Sequence, residues 1–120
     1  MIRDNYNVQI IDEAEDDLRN IYKYFAFTRR EPRLAKKIYR QIMDKLISLE
    51  EMPFRYPVYQ EEPWKSREVR QIFAGSYCAF YFVIENTVKV FRILYGSMDL
   101  DAALNETAFD DFNFNIMDLN

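Results

Sequence analysis

Arginine and tyrosine are the side chains of this 120-residue sequence best suited to chemistry. Arg70 stands near the start of a predicted strand, and Tyr77, Tyr81 and Tyr95 lie beside or within later ones. A guanidinium can bind a phosphate or a carboxylate, and a phenol can stack on a base or transfer a proton. Because a free phenol has a pKa of about 10, it needs a cationic neighbour to act as a base at neutral pH. The simpler alternatives are a solvated or ion-paired Arg70 and tyrosines that pack in the core.

The composition excludes several classes of enzyme. The chain has no histidine and one cysteine, Cys78, which rules out serine–histidine and cysteine–histidine catalysis. A metal site would need carboxylates alone, and a phosphate-binding loop would need more than the two glycines, Gly75 and Gly96. We therefore expect no metal and no cofactor. Cys78 is predicted to be an inert buried thiol in a reducing cytoplasm.

The net charge of −4 hides an uneven distribution of charge. All 16 bases and 14 of the 20 acids lie within residues 1–98, which therefore carry +2. A basic helix face is predicted by cations at helical spacing, namely Arg33, Lys36, Lys37, Arg40 and Lys45. This face would dock an acidic protein segment or nucleic acid, or would simply be solvated. Arg33, Lys37 and Arg40 are the candidates for partner binding on it.

Hydrophobic periodicity predicts two main helices and four strands. Alternation from Tyr6 to Ile10 indicates a strand, and Asp12, three residues before Glu15, indicates a capping box at the start of the first helix. Three prolines mark residues 50–66 as a loop. The predicted elements are a strand at 6–10, a helix at about 13–27, a second helix that carries Leu34 to Leu49, strands at about 68–73, 78–85 and 88–95, and a short helix at about 99–104.

The order β-α-α-β-β-β predicts an α+β domain, in which a helical hairpin packs on one face of a mostly antiparallel sheet. The first strand must then insert beside a later strand. We assign residues 1–104 to this domain and residues 105–120 to an acidic and aromatic C-terminal tail.

Arg92 interrupts an otherwise apolar strand. Strand alternation places it on one face with Val90 and Leu94. Because an unpaired buried cation is costly, we predict an ion pair with Glu15 or Asp17 of the first helix. Arg92 is also a candidate for partner binding.

The tail mixes acids with large apolar side chains, namely Phe109, Phe112, Phe114, Ile116 and Met117. So many apolar groups favour packing of Ala108–Leu119 on the sheet, on the helical hairpin or on a second subunit. Its acids would then cover the basic surface. A disordered end is the alternative.

Six segments occur in an order and spacing shared with one family: Tyr6-x-Val8-x-Ile10, Ala14-Glu15-x-Asp17-Leu18-x-x-Ile21-Tyr22-x-Tyr24, Ser48-Leu49-x-x-x-Pro53-x-Arg55-x-Pro57, Val69-Arg70-Gln71-Ile72, Gly75-Ser76-Tyr77-x-x-Phe80-Tyr81 and Val88–Asp99. Together they resemble the RelE/ParE superfamily of bacterial toxins, and its ParE-like branch in particular. The resemblance implies a small cytoplasmic α+β toxin of a type II toxin–antitoxin module, neutralised by a protein antitoxin.

The resemblance implies two alternative activities. RelE-like members cut messenger RNA inside the ribosome, whereas ParE-like members inhibit DNA gyrase. RelE-like enzymes are similar in having an arginine after the turn tyrosine and another after the glycine of the last strand; matched residue by residue, these positions hold Cys78 and Met98. The ParE-like pattern of a histidine followed by two arginines falls on Tyr95, Ser97 and Met98. This chain thus lacks both sets of cations.

We therefore predict a toxin that binds and inhibits a target such as DNA gyrase. The first alternative is a ribosome-dependent mRNA endoribonuclease that uses Arg67, Arg70, Tyr77 and Tyr95. The second is an interaction module with a toxin fold and no toxicity. The expected partners are a protein antitoxin, gyrase or the ribosome with its mRNA, and a second copy of the chain. No membrane partner is expected, because no apolar run approaches the roughly 20 residues of a membrane span.

Overall fold

A computed structural model describes residues 5–106 of the protein. The elements are β1 (Asn7–Ile10), α1 (Asp12–Lys23), α2 (Pro32–Ile47), β2 (Arg70–Ala74), β3 (Tyr77–Ile84), β4 (Thr87–Tyr95) and α3 (Leu100–Asn105). A π-helical turn, Tyr24–Thr28, extends α1, and two 3-10 turns, Ser48–Glu50 and Pro53–Arg55, follow α2. The predicted α+β class and order of elements are confirmed. The predicted packing of Ala108–Leu119 lies outside the described residues.

The sheet has the strand order β1-β4-β3-β2. β1 pairs with β4 in parallel, with Val8 opposite Val88, and the other two pairings are antiparallel. The first strand thus inserts beside the last one, as the sequence requires. Gly75, with a φ of 59°, provides the left-handed position of the β2–β3 turn. Within residues 5–106, no helix is both long enough and apolar enough to cross a membrane.

The helical hairpin covers one face of the sheet. Ala14 and Leu18 of α1 and Ile42 and Leu46 of α2 pack against buried residues of the strands, namely Ile72, Ala79, Tyr81, Val88, Val90 and Ile93. The predicted packing of the helical hairpin on one face of the sheet is therefore confirmed. Tyr81 belongs to this core, where its hydroxyl donates a hydrogen bond of 2.6 Å to the carbonyl of Pro53.

The opposite, outer face of the sheet has a core of its own. Its buried members are Trp64, Val69, Cys78, Phe80, Phe82, Phe91, Leu94 and Leu104. The segment that the prolines predict as a loop thus supplies Trp64, which is 1% exposed and stacks on Phe91 at 5.8 Å between ring centroids. The unbroken apolar run of β3 is explained by this second layer, because side chains on both faces of that strand are buried.

The predicted capping box at Asp12 is wrong. The N-cap of α1 is Ile11, and no side chain caps the helix. Asp12 instead lies inside the first turn with Glu13 and Glu15. There the three carboxylates stabilise the helix through its dipole rather than through a capping hydrogen bond.

The predicted alternation along β4 is also wrong. A bulge interrupts the pairing of β3 with β4, since Phe80 lies opposite Arg92 and Tyr81 opposite Val90. Phe91 is the extra residue, and it shifts the faces that follow. Val90 therefore packs toward the helices, whereas Leu94 packs in the outer core.

Candidate functional site

The β2–β3 turn and the residues after β4 meet at one end of the sheet. The N–H of Gly96 donates to the carbonyl of Ser76 at 2.7 Å, and the N–H of Met98 donates to the carbonyl of Tyr95 at 3.1 Å. A Cβ on Gly96 would lie 3.1 Å from that Ser76 oxygen and 3.3 Å from the ring of Phe73. The close approach of Phe73 and the Ser76 carbonyl therefore explains the glycine at this position.

Four large side chains lie at this end, and we call Phe73, Tyr77, Tyr95 and Met98 the sheet-end patch. Tyr77 packs against the helix-side core, whereas Phe73 lies on the outer face, opposite Cys78 in the ladder, so the patch includes both faces of the strand ends. Phe73 and Tyr95 are each 50% exposed, and Met98 is 46% exposed. The rings of Tyr77 and Tyr95 are T-shaped, with centroids 5.6 Å apart. Burial raises the pKa of Tyr77, and the Tyr95 and Tyr24 phenols add to the rise. This direction is opposite to the one that a general base requires.

Cys78 follows Tyr77 and is fully buried. Burial raises the pKa of its thiol to about 12. The predicted burial of the thiol is confirmed. With the pKa raised, the nucleophilic thiolate is scarcely populated at neutral pH, so inertness stays the expectation.

We expect Cys78 to resist a thiol-specific disulfide reagent at pH 8 while the protein is folded. In denaturant the thiol regains an ordinary pKa of roughly 8.5 and should react at the rate of a free cysteine. Reaction of the folded protein at that same rate would contradict the buried position.

Arg70 connects the Pro-rich loop to the sheet. Its Nη1 donates to the carbonyls of Phe54 at 3.0 Å and Tyr56 at 2.6 Å, and its guanidinium lies over the Phe54 ring. In the β2–β3 ladder, Arg70 lies opposite Tyr81, four positions from the pair of Ala74 and Tyr77. That separation is roughly 13 Å along the strand.

The four catalytic candidates are therefore not brought together. Tyr77 and Tyr95 lie at the sheet end, whereas Arg70 lies at the other end of β2. Arg67 precedes that strand, in a turn where its N–H donates to the carbonyl of Trp64. The arrangement gives the tyrosines neither of the proposed arginines as a cationic neighbour.

Arg92 forms the predicted ion pair with Asp17. Its Nε lies 2.8 Å from Asp17 Oδ2, and its Nη1 lies 3.7 Å from Glu13 Oε2. The second carboxylate near Arg92 is thus Glu13, and not Glu15, which was the alternative predicted partner. The same Asp17 oxygen accepts the N–H of Ile93 at 2.8 Å. Because β1 ends at Ile10, opposite Val90, this N–H lies beyond the reach of the β1 ladder.

The Arg92 guanidinium is thus engaged inside the fold. Its side chain is 16% exposed, so little of it faces a partner. Burial raises the pKa of Asp17, and the hydrogen bonds from Arg92 and Ile93 oppose that rise.

The three other partner-binding candidates lie together on an exposed face of α2. Arg33, Lys37 and Arg40, with Lys36, line a groove of about 440 Å³ that also includes Gln41 and Asp44. We call these four cations the basic face of α2. Among residues 5–106, none of the four forms an ion pair. A neighbouring groove is lined by Tyr22, Lys36, Tyr39, Arg40 and Met43, so cations and aromatic rings share one surface.

Sequence reasoning missed Phe73 as a member of the site. Ile72 and Ala74 are buried on the helix side of β2, whereas Phe73 points outward and is half exposed. Period-two alternation could have found it, since it places an aromatic side chain on the solvent side of the strand.

The fold, a helical hairpin on a mostly antiparallel sheet, defines the class of RelE/ParE-like proteins. The chain belongs to the ParE toxin family of the type II toxin–antitoxin system parDE, whose family model matches residues 8–100. The recognition made from the sequence motifs is confirmed.

Two solved structures have a similar fold. One is the chromosomal ParDE toxin–antitoxin system from P. aeruginosa, with a TM-score of 0.63 and 19% identity over 75% of this chain and 95% of that one. The other is the toxin–antitoxin complex RelBE2 from Mycobacterium tuberculosis, with a TM-score of 0.54 and 18% identity over 76% of this chain and 98% of that one. No protein of curated function matches the chain by sequence.

Proposed function

We propose that this toxin acts by binding and inhibiting a target protein rather than by cutting RNA. The observation that carries the proposal is the chemistry of the sheet-end patch. Its half-exposed Phe73, Tyr95 and Met98 are suited to a protein interface, where aromatic residues and methionine are enriched. A hot spot of this kind gains its energy by desolvating rings and needs no cation.

RNA cleavage makes the opposite demand. The charge that develops on the phosphate has to be stabilised by positioned cations. The matched positions hold the buried Cys78 and the apolar Met98. Arg55 shares a groove with Gly75, but its guanidinium is already engaged in the loop. It donates to the carbonyl of Glu51 at 2.6 Å and to the hydroxyl of Tyr56 at 3.1 Å.

DNA gyrase is the target that we propose, on the basis of the family to which the chain belongs. The two similar structures are toxin–antitoxin systems, which supports a protein antitoxin as the cytoplasmic partner of this chain. The basic face of α2 is suited to an acidic segment of such an antitoxin, because its four cations lie on one exposed surface.

The test is induction of the chain in bacteria, with plasmid topology and transcript ends measured in one culture. We expect growth arrest, relaxed or broken plasmid, and intact transcripts. Codon-phased cuts in the transcripts would instead establish the endoribonuclease. Growth without arrest would establish an interaction module that has no toxicity.

The double variant Tyr95→Ser/Met98→Ser should lose the inhibition. Each anchor of an interface contributes about 1–2 kcal/mol, so inhibition of purified gyrase should weaken roughly a hundredfold. Both side chains are about half exposed, so the variant should keep its melting temperature. The matched control is Met52→Ser, since Met52 is exposed and lies in the loop after α2. If the control weakens inhibition as much as the double variant does, the patch is not the binding surface.

A further inference from the structure

The two edges of the sheet differ in how well they are protected. At the β2 edge, Val58 forms an antiparallel bridge with Arg70, and the N–H of Gln71 donates to the carbonyl of Pro57 at 3.1 Å. The Pro-rich loop thus covers that edge. β1 lies at the other edge, and within residues 5–106 its one neighbouring strand is β4. An open edge presents N–H and C=O groups that another strand can bond.

The parallel ladder with β4 shows which backbone groups of β1 are open. The N–H groups of Asn7 and Ile11 donate to carbonyls of the β3–β4 turn and of β4, at 2.9 and 3.0 Å. Because successive residues of a strand point their backbone groups to opposite sides, those of Val8 and Ile10 point away from β4. Each copy of the described chain therefore presents two N–H and two C=O groups along this edge.

β1 lacks most of the features that block pairing at a sheet edge. Its four residues, Asn7–Ile10, include no charge and no proline, and its register with β4 runs without a bulge. Val8 and Ile10 pack partly buried on the helix side, where Ile10 also lines a groove of about 470 Å³ with Leu18 and Met43. A neutral strand with an apolar side favours a partner strand of the same kind.

A second copy of β1 meets this requirement and satisfies every open group. In antiparallel pairing around a twofold axis at Gln9, Val8 of each copy lies opposite Ile10 of the other copy. The open N–H and C=O groups of these two residues are then exchanged reciprocally, which gives four hydrogen bonds between the copies. No charge of β1 faces a like charge, since the strand has none.

We propose that two copies of the chain associate through β1, so that their four-stranded sheets join into one sheet. The two Gln9 side chains lie side by side at the axis on the outer face, where each amide can both donate and accept. Val8 and Ile10 of the two copies pack against each other on the helix side. The interface includes no residue of the sheet-end patch, so the proposal does not rest on the proposed function.

Oxidative cross-linking of the full-length Gln9→Cys variant tests this pairing. At the axis the two introduced residues form a non-hydrogen-bonded pair with Cα atoms about 4.5 Å apart, a separation that a disulfide can bridge. We expect a dimer on a non-reducing gel that disappears on reduction. Cys78 is fully buried and should add no cross-link of its own. Absence of the cross-link would overturn the proposal.

Asn7→Cys is the matched control for the cross-link. Asn7 and Gln9 are both exposed on the same face of β1. In the proposed register, however, the two copies of Asn7 are four positions apart, roughly 13 Å along the strand. This separation is too large for a disulfide, so the variant should remain largely monomeric on the gel. Equal yields from the two variants would indicate random collision and would overturn the register.

Val8→Pro tests the hydrogen bonds between the copies. Because the N–H of Val8 points away from β4, proline removes two of the four bonds between copies and none within the sheet. We expect the dissociation constant of the dimer, measured by sedimentation equilibrium, to rise roughly tenfold or more. Val8→Ala keeps the N–H and is the control. Equal dissociation constants in the two variants would overturn the pairing.

Two further measurements complete the test. Melting temperatures of Val8→Pro and Val8→Ala show whether proline leaves the fold intact, and if it does not, the two cysteine variants still decide. Sedimentation of the unsubstituted chain should show a dimer that dissociates on dilution. A monomer at every concentration would overturn the proposal and would leave the β1 edge to a strand of another protein.

Discussion

Replacement of Asp17 by alanine is expected to lower the free energy of unfolding by about 3–5 kcal/mol. The substitution removes the close partner of Arg92, whose side chain is only 16% exposed, and it leaves the N–H of Ile93 without its acceptor. Glu13, at 3.7 Å, is too distant to replace the hydrogen bond at 2.8 Å. Urea denaturation followed by circular dichroism measures the loss.

The matched control is Asp16→Ala. Asp16 pairs with Arg19 at 2.6 Å, but both side chains are more than half exposed. Such a pair contributes at most about 1 kcal/mol. Equal losses in the two variants would show that solvent and Glu13 satisfy Arg92 once Asp17 is gone.

The burial of Asp17 also gives stability a dependence on pH. Burial raises the pKa of Asp17, so the folded protein binds this proton more tightly than the unfolded chain does. The contribution of Asp17 to stability therefore falls as the pH rises from the ordinary pKa of the carboxyl through the raised one.

A second variant separates the effect of the ion pair from the effect of its burial. Because desolvation of the pair offsets its attraction, Asp17→Leu/Arg92→Met should lose less stability than Asp17→Ala.

Trp64→Ala should also cost about 3–5 kcal/mol, because it removes the largest fully buried side chain of the protein's described part. The cavity opens against Phe91, on which the indole stacks. The melting temperature should fall on the order of 10–20 °C. Calorimetry is the appropriate measurement, since the variant no longer has a tryptophan to report by fluorescence.

Phe27→Ala provides the control for this prediction. Phe27 is an exposed aromatic residue in the turn after α1, and its removal should change stability by less than about 1 kcal/mol. If Trp64→Ala and Phe27→Ala have the same melting temperature, the Pro-rich segment is not part of the cooperative core.

Local periodicity and the cost of burying charge account for the parts of the fold that sequence predicts. The ion pair of Arg92 with Asp17 follows from one cation inside an apolar strand. The bulge at Phe91 could not be predicted, because an inserted residue is visible only against the opposite strand. The outer-face core was missed for a similar reason, since Trp64 comes from a segment without periodicity.

The candidate site divides in the same way. The absence of arginine from the two matched positions follows from Cys78 and Met98, which the sequence shows directly. The position of Arg70 could not be predicted from the sequence, because its acceptors are backbone carbonyls of a loop 14 and 16 residues away. Side-chain type carries no information about where such carbonyls lie.

The position of β4 between β1 and β3 sets the order of events during synthesis. β1 forms its ladder with a strand 80 residues later, and β3 pairs with that same strand. A nascent chain that ends before Thr87 therefore contains both neighbours of the central strand but not the strand itself. Such a fragment has neither a complete sheet nor a sheet end. Translation that stops before Thr87 thus yields a fragment that cannot form this sheet, and the sheet can be completed only after the last strand has been synthesised.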